Sequence, residues 1–194
     1  MSGIIPDWEW RTFGKEIPLK VDLNIWQRTI RIESSDIYII STIAEDCFRI
    51  QEGILIIDRL HQVNADGLEQ WLPESKFEFP INIEEIKSVY KLFRLSMPSL
   101  TEKEYKKEEF IQIVKRNSRL ILSKIDKVIH IYDIRDCIVE KADLRIDGES
   151  IVSIAVKDPD AQLIKKTLIH LGIEGRENKS YTSAIKLSQS NLLS

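Results

Sequence analysis

Hydrophobic and polar positions alternate along much of the first third of the chain, and the apolar positions are rich in β-branched and aromatic residues. The alternation predicts strands over 7–13, 26–33, 36–41, 47–51 and 54–60. Gln51-Glu52-Gly53 separates the last two and predicts a tight turn with Gly53 at positive φ, which makes this pair the clearest hairpin. The period then changes. Asn82 with Glu85 has capping-box spacing, and Ile83, Ile86, Val89, Tyr90 and Phe93 recur at helical intervals, with Pro98 closing the segment. Thr101 with Glu104 predicts a second cap and a helix to about Val114, the mixed charges of 102–109 forming a solvated face. Strands return over 119–124, 128–134, 137–146 and 151–156, with Asp147-Gly148 as a hairpin turn. A last helix opens at Asp158 or Asp160 and ends at Leu171-Gly172, where glycine suits a left-handed cap. Residues 68–71 and 77–80 read as an aromatic anchor packed under a loop, and the polar tail after Ile185 is expected to fray.

Two groups of hairpins around helical excursions predict an α+β fold with a largely antiparallel sheet. With 194 residues and neither repeat nor linker, the expectation is one domain over 1–186 and a flexible tail over 187–194. The 43 % hydrophobic and 30 % charged composition, with seven Gly and six Pro, excludes a disordered or low-complexity chain. A net charge of −3 removes whole-molecule attraction to a nucleic acid polymer or an anionic membrane. Cys47 and Cys137 make neither a disulfide framework nor a zinc cluster, and read as reduced, buried thiols. The opening residues lack the basic and apolar regions of a secretory leader, and no apolar run approaches the ~18 residues of a membrane span. A soluble cytoplasmic protein is expected.

Candidate chemistry begins at Asp7-Trp8-Glu9-Trp10-Arg11. On a strand, Asp7, Glu9 and Arg11 share one face and the two indoles the other. Carboxylates of this kind hold a hard divalent cation through oxygen, and the guanidinium binds phosphate oxygens. The same alternation also describes a sheet edge with a solvated charged face. Arg49, Arg59, Arg119, Lys124 and Arg145 fall on predicted strands as well. In a closed antiparallel sheet those facing inward would form a cationic lumen, and those facing outward would serve solubility. His61, His130 and His170 have no metal-pair spacing and read as structural, with His130 on a strand that would line the lumen.

Four segments, in order along the chain, resemble the CYTH superfamily, the triphosphate tunnel metalloenzymes. Asp7-x-Glu9-x-Arg11 is similar to that family's Glu-x-Glu-x-Lys signature, and Ser35-Asp36-Ile37-Tyr38 to its Asp-x-Tyr-Tyr strand. The hairpin through Phe48-Arg49-Ile50-Gln51 and Ile57-Asp58-Arg59 resembles its paired basic strands. Asp158-Pro159, Leu171-Gly172-Ile173 and Asn178-x-Ser180-Tyr181 resemble its closing helix and Ser-Tyr segment. The resemblance implies a closed or nearly closed eight-stranded antiparallel β tunnel with flanking helices. It also implies a triphosphate or nucleotide ligand clamped by Arg11, Arg49, Arg59 and Arg119, with Lys76 at the mouth. A Mg or Mn ion would sit on Asp7, Glu9 and Glu140, with Glu9 as the catalytic carboxylate of a triphosphatase.

One departure alters that expectation. Where the family carries a second Glu-x-Glu, this chain has Ile154-Ala155-Val156-Lys157. Lys157 cannot ligate a metal and, pointing inward, would place a fixed positive charge beside the ligand. Slow or absent hydrolysis, with ligand binding less dependent on metal, is therefore expected. The alternatives are a non-catalytic nucleotide or polyphosphate-binding module and a barrel scaffold for a protein partner, as monomer or homodimer.

Overall fold

The structure is a computed structural model, and it describes residues 6–26, 28–43 and 46–189. The chain opens with β1 (Trp8–Gly14), a 3-10 turn over Leu23–Ile25, and the long β2 (Arg28–Ser41). Next come β3 (Cys47–Gln51), β4 (Ile54–Val63) and β5 (Glu69–Glu78). A small excursion contains β6 (Ile81–Asn82), α1 (Ile83–Leu92), β7 (Glu104–Tyr105) and α2 (Lys107–Lys115). The remainder is β8 (Leu120–Ile134), β9 (Cys137–Ile146), β10 (Glu149–Asp158), α3 (Ala161–Leu171) and α4 (Tyr181–Gln189). Eight strands close into a barrel in the order β1-β10-β9-β8-β2-β3-β4-β5, and β6 pairs with β7 apart from it. The fold is α+β, as the two groups of hairpins predicted.

Two-residue turns organise this order. Glu52-Gly53, Arg135-Asp136 and Asp147-Gly148 have positive φ at both positions, the geometry whose twist matches antiparallel strands. Contacts divide the chain into two compact units, residues 1–34, 60–72 and 125–194 in one, and 35–59 and 73–124 in the other.

In the first unit, α3 decides which strand face is the outer one. Asp160 caps it, accepting from the Gln162 amide at 2.8 Å, and Gly172 ends it at φ 77°. Its Ile164, Leu168 and Leu171 pack on Trp10, Tyr132, Ile134, Val139, Ile154 and Val156. A fully buried aliphatic side chain contributes about 1.5–3 kcal/mol, so this layer pins the register. By period-2 alternation, Glu9, Arg11, Phe13, Glu140, Ser153, Ala155 and Lys157 then face the other way. The expected split, with indoles outward and Glu9 and Arg11 inward, is observed. Trp10 is buried under α3 and Trp8 is half-buried beside it.

In the second unit, α1 and α2 cover Ile39, Phe48, Ile50, Leu55 and Ile57, with the Phe48 and Phe93 rings edge-to-face at 4.2 Å. The Asn82–Glu85 capping box forms as its spacing predicted. The opposite face carries Asp36, Tyr38, Cys47, Arg49 and Asp58, placed there by the pairs Tyr38↔Arg49 and Cys47↔Asp58.

Several elements differ from the sequence reading. The predicted strands 26–33 and 36–41 are one strand, β2, because Ser34-Ser35 continues extended instead of turning. Residues 119–124 and 128–134 likewise merge into β8. The segment read as a loop over an aromatic anchor is β5, which carries Pro73 within it. The second helix starts at Lys107, not Thr101, because Glu104–Tyr105 pairs with β6 and Glu109 supplies the cap contact, accepting from the Lys106 amide at 2.7 Å. The tail expected to fray after Ile185 is helical to Gln189, with Ala184 and Ile185 buried; residues 190–194 lie outside the described residues. His130 sits opposite Lys141 on the face that carries Tyr132 and Val139, so it does not face the lumen.

Candidate functional site

The inner face of the first unit concentrates charge where three strands run side by side. Register places Glu9 opposite Lys157, Arg11 opposite Ala155, and Ala155 opposite Glu140. The small Ala155 leaves the long side chains of Arg11 and Glu140 room to meet across it. Arg11 donates from Nε to Glu9 Oε1 at 2.7 Å, from Nη2 to Glu140 Oε2 at 2.8 Å, and from Nη1 to Ser153 Oγ at 3.3 Å. Lys157 Nζ donates to Glu140 Oε1 at 2.7 Å and lies 3.2 Å from Glu9 Oε2. Each carboxylate thus bridges the same two cations through different oxygens.

A phenol ring completes the cluster. Tyr181, at the start of α4, lies under the Arg11 guanidinium at 4.9 Å and the Lys127 ammonium at 4.6 Å, and its edge meets Phe13 at 5.3 Å. Lys127 is buried and reaches this face from β8, where it pairs with Leu144. The segment before α4 is tied to the backbone of Arg11 itself. The Arg11 amide donates to Asn178 Oδ1 at 2.6 Å, and the Lys179 amide donates to the Arg11 carbonyl at 2.7 Å. Asn178 Nδ2 also donates to the Gly67 carbonyl at 2.7 Å. Since β1 meets β5 at the pair Glu9↔Glu69, Asn178 and Lys179 seal the stretch of β1 edge beyond that bridge.

Electrostatics follow this geometry. Burial pushes the Glu140 carboxyl up, but Arg11 and Lys157 outweigh it and bring it down to about 2. Burial likewise raises Glu9, and the same two cations carry it below its ordinary value. Burial lowers Arg11 and Lys157, yet the carboxylates leave both above their ordinary values. Burial drives the Tyr181 phenol up. All four members of the ion-pair cluster are therefore charged at neutral pH, and its net charge is zero.

The expected site residues separate into three groups. Glu9, Arg11, Glu140 and Lys157 converge. Arg49 lies on the inner face of the second unit, held in an ion pair by Asp58; burial pulls its guanidinium down, and Asp58 together with Tyr38, Cys47 and Asp36 leaves it above its ordinary value. Asp7, Lys76 and Arg119 are exposed, and Arg59 is exposed with Glu74 3.6 Å away. Arg119 precedes β8, in a turn whose carbonyl accepts from Thr42 at 3.0 Å. The sequence reading missed Lys127, Ser153 and the backbone role of Asn178.

This donor set does not fit a divalent cation. Among the described residues no three His, Cys, Asp or Glu side chains gather where they could hold a metal, and Asp7 does not join Glu9 and Glu140. The two carboxylates that do meet are spanned by the Lys157 ammonium, at the place a bridging ion would take.

No family model matches the chain, and no curated protein matches it. Solved structures resemble its fold. A conserved hypothetical protein of Pyrococcus furiosus is similar at 16 % identity and TM-score 0.45, over 90 % of this chain and 98 % of that one. A Hippeastrum protein, named as an adenylyl cyclase candidate and described as having a dominant triphosphatase activity, is similar at 10 % identity and TM-score 0.48, over 97 % of each chain. An adenylate cyclase candidate of Bacillus halodurans is similar at 10 % identity and TM-score 0.46, over 92 % of this chain and 97 % of that one.

Proposed function

We propose that the chain binds a phosphate-bearing anion on the inner face of its barrel, without a divalent ion and without turning the anion over. The observation that supports this most is the Lys157 ammonium spanning Glu9 and Glu140. The tethered ammonium, together with the Arg11 guanidinium, balances the two carboxylates and is a cation that cannot exchange out of the site. Unlike a bound metal, it does not lower the pKa of a water to make a hydroxide nucleophile. Glu9, ionised and held by two cations, is a poor proton acceptor, so the reading gives it a positioning role toward Arg11 in place of a catalytic one.

The cations keep capacity for a ligand. Arg11 has five N–H donors and commits three of them among the described residues. Lys157 has three and commits one by hydrogen bond to Glu140. A phosphate oxygen taking the remaining donors would form charge-assisted hydrogen bonds, about twice as strong as neutral ones. Lys157 and Glu9 are the more exposed members, so an anion would reach Lys157 first. Arg59, Lys76 and Arg119, all exposed, have no part in this reading.

The test is thermal stabilisation by tripolyphosphate and by orthophosphate at matched ionic strength, in EDTA and in Mg²⁺, with phosphate release measured alongside. Tripolyphosphate is expected to stabilise more than orthophosphate, equally in EDTA and Mg²⁺, by about 2.7 kcal/mol at one hundred times its dissociation constant. No phosphate release is expected. Stabilisation that requires Mg²⁺, or metal-dependent release, would refute the reading. One observation favours a second reading, a scaffold with a self-satisfied interior. Glu9, Glu69 and Glu140 balance Arg11, Lys127 and Lys157 on the facing strands, and equal, negligible shifts with both anions would select it.

A further inference from the structure

We infer that this chain pairs with a second copy of itself through the first half of β2, as an antiparallel strand-to-strand contact about a two-fold axis. The inference is independent of what the barrel binds. β2 has 14 residues, but its neighbour β3 has five and reaches only Ile37–Ile40 among the described residues. Continuing that register would bring Ser35 and Ser34 to the turn Glu52-Gly53, so Ile30–Ser34 runs past the end of the hairpin. Its other edge faces β8. Among the described residues, one edge of this stretch therefore offers backbone N–H and C=O groups with no strand beside them, which is the template an added strand uses.

The side chains here are exposed on both faces of the strand. Ile30 is 52 % and Ile32 40 % exposed, and Arg31 and Glu33 between them are exposed as well, pairing with each other within the strand. Two unburied isoleucines on one strand are the less usual feature, since natural edges are blunted by charge, bulges or Pro. Here the charges select a partner.

Consider β2 laid antiparallel on its own copy with Ile32 opposite Ile32. Arg31 then faces Glu33 of the second copy, Glu33 faces its Arg31, and Ile30 faces its Ser34. Two opposite-charge pairs flank a central apolar pair, and cross-strand pairs of both kinds stabilise a ladder. The neighbouring registers that keep the faces matched are penalised. One sets Arg31 on Arg31, and the other sets Glu33 on Glu33. A one-residue slip sets Arg31 against Ile32, putting charge and hydrocarbon on the same face. The segment is thus complementary to itself in one register and repelled in its nearest alternatives, the pattern an isologous contact requires.

Sedimentation velocity over a concentration series tests this with charge reversal. The wild type is expected to show a monomer–dimer equilibrium. Arg31→Glu alone, which sets acidic side chains against each other in both flanking pairs, and Glu33→Arg alone, which does the same with basic ones, are each expected to weaken association by about tenfold or more. The double variant Arg31→Glu/Glu33→Arg, or an equimolar mixture of the two single variants, is expected to restore it. A wild type that is monomeric throughout overturns the inference, as does a dimer that both single reversals leave intact. Because Arg31 and Glu33 are exposed, unchanged urea midpoints at low protein concentration will confirm that the variants fold.

Discussion

Replacing Lys157 with methionine removes the ammonium from between Glu9 and Glu140 while keeping a side chain of similar length and volume. Truncating one member of a fully buried ion pair costs about 3–5 kcal/mol. Lys157 is 26 % exposed on its side chain, so water recovers part of that loss. The Glu140 carboxyl sits at about 2 against an ordinary 4.5, and that difference amounts to about 3 kcal/mol of folding free energy. Arg11 is the larger of the two attractive causes and Lys157 the second. Lys157 therefore accounts for roughly 1 kcal/mol through Glu140, and its attraction for Glu9, which also lies below its ordinary value, adds to that.

The loss should carry a pH signature. Both carboxylates have depressed values in the folded state, so their contribution is complete above about pH 4.5 and disappears as the pH falls toward 2. Urea unfolding of wild type and Lys157→Met between pH 2 and 8 is expected to show a gap of at least about 1 kcal/mol near neutrality that closes in acid. In a Glu140→Gln background the same substitution should cost about 1 kcal/mol less. A gap independent of pH, or one below about 0.5 kcal/mol at pH 7, would refute the bridging role.

Changing Lys157→Glu should instead gather three carboxylates, and Mn²⁺ is expected to raise the melting temperature of that variant and not of the wild type. Asn178→Ala removes the acceptor for the Arg11 amide and the donor to Gly67, and is expected to cost about 2–3 kcal/mol in urea while raising amide exchange along β1. Tyr181→Leu takes the ring from beneath two cations and is expected to cost about 1–2 kcal/mol, less at high salt. Arg135 and Asp136 hold positive φ without being glycine, so Arg135→Asn/Asp136→Gly is expected to stabilise by about 1 kcal/mol in the same assay.

Local chemistry in the sequence is sufficient wherever one short signal decides the backbone. Gly53, Gly148 and Gly172 sit at the turns and cap that their neighbours predicted, and Asn82 and Asp160 cap the helices they precede. It fails where tertiary pairing overrides local preference. Ser34-Ser35 looks like a break, yet both residues continue the extended backbone of β2, which lies between β8 and β3 in the barrel order. Glu69–Glu78 contains Pro73 and repeated charges, and it is a strand because it completes the barrel between β4 and β1. Thr101 has an appropriate cap spacing, but Tyr105 pairs with Ile81 and its hydroxyl accepts from the Thr101 and Glu102 amides, holding the chain out of a helix until Lys107.

The candidate site divides along the same line. The face shared by Glu9 and Arg11 is legible because alternation with Trp8 and Trp10 fixes it within one strand. Glu140 and Lys157 can be assigned to that face only when β9, β10 and β1 are in register, and each is read differently once they are. As an isolated substitution, lysine where a carboxylate is expected suggests a lost ligand and nothing in return. In register, the ammonium meets the two carboxylates that remain and Arg11 holds their other oxygens. Without it, two buried carboxylates would share one guanidinium, an arrangement that favours protonation of one of them. Lysine at 157 is thus what allows Glu9 and Glu140 to stay ionised together, and their joint charge in turn fixes Arg11 against Tyr181. The dependence runs in both directions, so the four charged side chains act as one structural group.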